Sequence, residues 1–150
     1  MDAKGDLVSV RVISIRQPWA ALILAGKKRI ELRTWKQSLR GPVLLHAGKI
    51  PVKNPNAWAL ITPEIEPLTQ LRGGIIGAMN IVGIRQYTHP DEFLADQKYH
   101  GCGPGDWNPK GYHGYLLQDA MQIPFESLPG QLFFFRVNRE REKLPWPDCW

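Results

Sequence analysis

The sequence predicts one α+β domain, a small, curved β-barrel with a few short helices. Three observations carry that prediction. About six short, strand-like segments are spread over 150 residues. One early apolar run reads as a buried helix. Glycine and proline punctuate the rest, as they do in small barrels with tight corners. The length suits a single core, since one domain typically holds roughly 100–200 residues.

Taken in order, the first nine residues are polar enough to fray, and Val8 to Ile15 is a β-branched strand. Pro18 suits the first turn of a helix, where its missing N–H is not needed. Trp19 to Ala25 is apolar all round, as a buried helix requires, and Gly26 is a helix stop. Arg29 to Trp35 alternates: Ile30 and Leu32 point one way, Arg29, Glu31 and Arg33 the other, which predicts a half-buried strand with a charged face. Gly41-Pro42 turns the chain into a further strand, Val43 to Ala47. Four prolines between residues 48 and 73 leave room for short helical pieces only, such as Asn56 to Ile61. Gly74 to Tyr87 is the longest apolar stretch, and Gly77 and Gly83 inside it mark bulges or barrel bends. Residues 88–111 read as a long irregular connection. Tyr112 to Gln118 and Leu132 to Val137 are the last strands. Residues 139–150 form a charged, then Trp/Pro-rich, tail.

Composition excludes several classes. Apolar residues make up 43% and charged residues 22%, which excludes global disorder. The longest apolar run falls far short of the ~20 residues of a membrane span. Two cysteines make no disulfide framework, and no charged-then-apolar leader is visible, so a cytoplasmic, membrane-free protein is expected, as a monomer. The charge is uneven. Residues 1–50 balance at +7 and residues 51–150 at −2. From Lys27 to Arg40 six basic residues face Glu31 alone. Such a zone is either the footprint of a polyanion or a solvated face without a partner.

The segment from Val12 to Trp35 is distinctive. It contains Arg16-Gln17-Pro18-Trp19-Ala20 and the pattern G-x-K-x-x-E-x-R as Gly26, Lys28, Glu31 and Arg33. Arg40-Gly41-Pro42 through His46-Ala47, Gly74-Ile-Ile-Gly-Ala, and the closing Tyr115-Leu-Leu and Gly130 to Val137 follow in order. Together, over residues 10–138, these resemble ASCH domains of the PUA-like superfamily. The resemblance implies a PUA-like mixed β-barrel with a cleft between the first helix and the strands, lined by the Lys/Glu/Arg motif. It also implies RNA or other nucleic-acid binding. Some members are amidohydrolases on an acetylated cytidine nucleoside, and nuclease activity is known for others. The small amidohydrolases carry a Lys like Lys28 but a Thr where this chain has Glu31. They also need a second acid from a central strand, and Ile75 to Arg85 holds none.

With that resemblance, Lys28 is either a phosphate-binding point charge or a desolvated base or nucleophile. Glu31 and Arg33 are either a structural ion pair or a base reader and a phosphate clamp. Gln17, whose amide both donates and accepts, is a candidate for a base edge. Trp35 is a candidate for base stacking, against a packed aromatic. Lys36 and Arg40 are candidates for backbone phosphates, and Arg16 for nucleic-acid binding. His100, Cys102 and His113 match no standard zinc spacing, so no metal and no cofactor are expected. His46 reads as a satisfied core histidine near the cleft. Three functions remain: a binder of RNA or single-stranded nucleic acid, a small hydrolase on a modified nucleoside or RNA using Lys28 and Glu31, and an adaptor for a protein tail. A second acid folding into the cleft, from Asp119 or Glu126, separates the first two.

Overall fold

The computed structural model describes residues 6–36 and 38–150. Residues 1–5, part of the stretch expected to fray, lie outside the described residues. Six strands form one sheet: β1 (Leu7–Ile15), β2 (Ile30–Arg33), β3 (Gly41–Ala47), β4 (Gly74–Tyr87), β5 (Tyr112–Ser127) and β6 (Phe134–Glu140). Their order is β2-β5-β4-β3-β1-β6. The pairing is antiparallel except for β1 and β3, which run parallel in the register Val12↔Leu44 to Ile15↔Ala47. The sheet is therefore mixed, as predicted.

Alternation along the strands buries both faces. Ile13, Ile15, Leu45, Ile76 and Met79 pack in one cluster with Ala20 and Ile23 of helix α1 (Trp19–Leu24). Val10, Val12, Leu44, Ile75 and Ala78 form a second cluster with Phe135 and Leu144. Such double-sided burial needs near-continuous apolar runs, which β1, β3 and β4 supply. Bulges in β4 fall at Ile75/Gly77, Ala78/Asn80 and Ile81/Gly83, so the two glycines mark kinks as expected. At Gly77 a Cβ would lie 2.6 Å from Leu24 and 2.7 Å from the Met121 carbonyl oxygen. The β5 backbone cannot give way as the Leu24 side chain can, so glycine is what lets β4 pass this close to β5 at the bulge.

The outer strands β2 and β6 exchange no ladder, yet they meet through side chains. Trp35, two residues past β2, packs edge-on against Phe133 and Phe134, at 4.7 and 5.7 Å between ring centres, and lies 5.9 Å from Tyr115. The predicted barrel is a curved sheet whose seam is closed by aromatic rings instead of backbone hydrogen bonds.

Four expectations change. Residues 88–111 are not irregular: they hold helices α3 (Pro90–Ala95) and α4 (Gln97–His100) and a 3-10 turn at Pro104–Asp106, laid over a cluster of Ile30, Tyr87 and Phe93. Leu7 to Ser9 do not fray. They pair with Glu140, Arg139 and Asn138, because β6 runs on beyond the predicted strand end. The tail after it folds back, with Leu144 buried and Trp146 and Trp150 packed on the second cluster. The short helix expected over 56–61 forms one residue earlier, as α2 (Pro55–Ala59), with the Asn54 side chain accepting from the Asn56 N–H. No helix among the described residues is long and apolar enough to cross a membrane.

Candidate functional site

Of the charged face predicted for β2, Glu31 points inward, Arg33 is half-buried and Arg29 stays exposed. Lys28 is 4% exposed and Glu31 7%. Lys28 Nζ donates to the His100 carbonyl oxygen at 2.8 Å, lies 3.6 Å from Glu31 Oε1, and sits 4.6 Å from the centre of the Trp19 ring. Arg33 Nη2 reaches Glu31 Oε2 at 2.9 Å and donates to the Ser14 carbonyl oxygen at 3.0 Å. One carboxylate thus bridges two cations, and the second cation ties β2 to β1 across the seam. Burial lowers the pKa of Lys28, and Glu31 opposes that shift in part. Removing one member of such a buried set leaves an uncompensated charge.

A different set of residues lines a cavity of about 960 Å³. Because β1 and β3 are parallel and in step, their ends release Arg16 and Gly48-Lys49 on the same side. Arg72, just before β4, and the loop 128–132 after β5 complete the walls. Arg16 donates to the carbonyl oxygens of Ile50 and Pro51, and Arg72 to that of Thr69. None of Arg16, Lys49 and Arg72 is paired with a carboxylate among the described residues. Ile50 and Leu132, both strongly exposed, stand at the same groove. On its wall, Ser14 Oγ lies 2.9 Å from His46 Nδ1, and His46 Nε2 lies 2.6 Å from the Leu128 carbonyl oxygen.

The remaining sequence candidates separate. Gln17 is fully buried, and its amide is used up. It donates to the Leu68 and Leu71 carbonyl oxygens and accepts from the Ala21 N–H. That clamps the start of α1 to the 3-10 turn at Glu66–Gln70 and leaves no edge for a base. Trp35 is half-buried in the seam, with the Arg33 guanidinium 6.0 Å from its ring. Lys36 and Arg40 are exposed on the segment between β2 and β3.

His100 is buried, with Nε2 bonded to the Phe93 carbonyl oxygen and Nδ1 accepting from the Cys102 N–H. Both ring nitrogens are occupied, so it has none for a metal. Asp119 lines a small cavity, about 380 Å³, together with Lys28. Glu126 instead pairs with Arg139. Sequence reasoning did not single out Ser14, Lys49 or Arg72. The signal available was Lys49 just past a strand end, but only the strand register shows that this end meets Arg16.

A family model described as ASCH domain matches residues 13–129. No curated protein sequence matches significantly. Among solved structures, an ASCH protein from Zymomonas mobilis is 18% identical, with 85% of this chain and 76% of that one covered and a TM-score of 0.54. A tyrosine-to-phenylalanine variant from the same organism gives 16% identity, 87% and 91% coverage and a TM-score of 0.61. A serine-to-alanine variant gives 15%, 87% and 89%, and 0.59. At these identities the likeness is one of fold.

Proposed function

As the chain belongs to the ASCH domain family of the PUA-like superfamily, we propose that it binds RNA or another single-stranded nucleic acid in the basic groove at the ends of β1 and β3. The observation that carries this reading is the contrast in charge pairing. Lys28 and Arg33 are spent on Glu31, whereas Arg16, Lys49 and Arg72 reach one groove without a carboxylate partner among the described residues. Cations in that state release counterions when phosphates replace them. In this reading Arg16, Lys49 and Arg72 hold phosphates, and Ile50 and Leu132 flank an unstacked base. Lys36 and Arg40, exposed in the basic zone, add phosphate contacts.

The test is photo-cross-linking of a thiouridine-substituted single strand, followed by peptide mapping. Adducts on residues 48–50 and 128–132 support the reading. Adducts confined to residues 27–36 would place the nucleic acid on the Lys/Glu/Arg strand and reject the groove.

One observation favours a second reading, a small hydrolase. Asp119 and Lys28 line the same small cavity. A desolvated Lys and an acid can divide proton transfer between them. Turnover of an acylated cytidine nucleoside, lost in Asp119→Asn, would select this reading.

A further inference from the structure

The groove wall holds a hydroxyl and an imidazole in an order that bears on chemistry. A carbonyl oxygen can only accept, so the 2.6 Å contact of His46 Nε2 with Leu128 requires the proton on Nε2. In the neutral ring Nδ1 is then a bare acceptor, and the Ser14 hydroxyl, 2.9 Å away, donates to it. This is a nucleophile, a base, and a third group fixing the base's tautomer, the arrangement that activates a serine.

Its surroundings hold it still. Ser14 and His46 face each other in the β1–β3 register. The Ser14 carbonyl is held by Arg33, so the buried Lys28–Glu31–Arg33 set positions the serine's backbone. Gly130 lies directly over the pair: a Cβ there would come within 2.8 Å of His46 Cε1 and 2.9 Å of Ser14 Oγ. Any larger residue would press on both groups.

We propose that Ser14 and His46 are a nucleophile–base pair that hydrolyses carboxylic esters of phosphorylated alcohols. The groove supplies both halves of that specificity: Arg16, Lys49 and Arg72 for the phosphate, and exposed Ile50 and Leu132 for the acyl group. Ser14 Oγ attacks the ester carbonyl carbon as its proton passes to His46 Nδ1. The tetrahedral oxyanion collapses and the bond to the alcohol oxygen breaks. That oxygen takes the proton from Nδ1, leaving an acyl-Ser14. Water then attacks the acyl carbon, passing a proton to Nδ1. Ser14 Oγ leaves and takes that proton back. The net change is ester plus water to acid plus alcohol. Throughout, the Leu128 carbonyl oxygen holds the Nε2 proton of the imidazolium. This activity goes beyond nucleic-acid binding and does not require it.

The experiment treats the whole protein with an alkyl fluorophosphonate and maps the adduct by mass. It then measures hydrolysis of butyryl glycerol phosphate against uncharged butyryl glycerol. The expected result is an adduct on Ser14, at least tenfold slower in His46→Gln, with the phosphorylated ester preferred and that preference lost in Arg72→Ala. Ser14→Ala, the milder change, should fold, lose the adduct and lose hydrolysis even if His46→Gln unfolds. No adduct on Ser14 in the wild type, or hydrolysis that survives in folded Ser14→Ala, overturns the proposal. Single-strand RNA binding is measured on the same samples by anisotropy. Labelling without RNA binding leaves the pair standing and rejects the binding reading; the reverse rejects the pair alone.

Discussion

The two charged regions of this molecule come from strands consecutive in the chain and are built in opposite ways. At and just before β2, Lys28 and Glu31 are buried and Arg33 is half-buried, and the Glu31 carboxylate pairs with both cations. At the ends of β1 and β3, Arg16 and Lys49 face solvent with no carboxylate partner among the described residues, and Arg72 joins them half-buried. The first set spends its charge holding the seam shut. The second leaves its cations lining an open groove. A basic sequence zone therefore says little about binding until it is known which cations already have an anion.

The contrast is sharpest in Glu31→Gln. It leaves two cations in the interior without their carboxylate, and a broken buried pair costs about 3–5 kcal/mol. Urea unfolding should show that loss, while the folded fraction binds single strands as before. A drop in affinity with unchanged stability would reverse the assignment of the two regions.

Trp35→Ala tests the seam from its aromatic side. Truncating a buried aromatic costs about 3–5 kcal/mol, and for this half-buried ring about 2 kcal/mol is expected, read from the same unfolding curves. RNA affinity should change by less than twofold. A large affinity loss with a native melting transition would make Trp35 a base-stacking residue after all.

Arg16→Ala, Lys49→Ala and Arg72→Ala belong to the other region. Each removes one charge-assisted contact, worth roughly 1–2 kcal/mol of binding, so affinity should fall about tenfold per site. Thermal melts should move little for Lys49→Ala, which is exposed.

The smallest effect is a pH dependence. Burial lowers the pKa of His100 below its ordinary 6.5, although its bond to the Phe93 carbonyl oxygen opposes this. The neutral ring therefore stabilises the fold fully above about 6.5, and that contribution is lost as pH falls through the lower folded value. Unfolding midpoints between pH 7 and 5 should decline more steeply in the wild type than in His100→Asn. Parallel declines would mean the ring is not held neutral.

Much of the fold was legible in the sequence because its causes are local. Alternation in Val8–Ile15 and the apolar run at Trp19 are short-range patterns, and the bulge glycines Gly77 and Gly83 mark themselves. The helices in 88–111 were not legible. They are one or two turns long, too short for a periodic signal, and form by docking Phe93 against Ile30 and Tyr87. The orientation of β2 was missed for a related reason. Alternation tells which residues share a face but not which face meets the interior, and charged residues normally face water. Here a carboxylate enters between two cations that both pair with it. The Ser14–His46 contact spans 32 residues and depends on the β1–β3 register, which no local pattern encodes.

The most direct test of the central claim is the salt dependence of single-strand RNA binding, in wild type and in Arg16→Ala/Lys49→Ala/Arg72→Ala. With about three phosphates held by the groove, the log–log slope should be steeper in the wild type than in the triple variant by roughly 2, at about 0.7 per phosphate. Equal slopes in the two proteins, with affinity retained in the variant, would contradict the claim that this groove carries the nucleic acid.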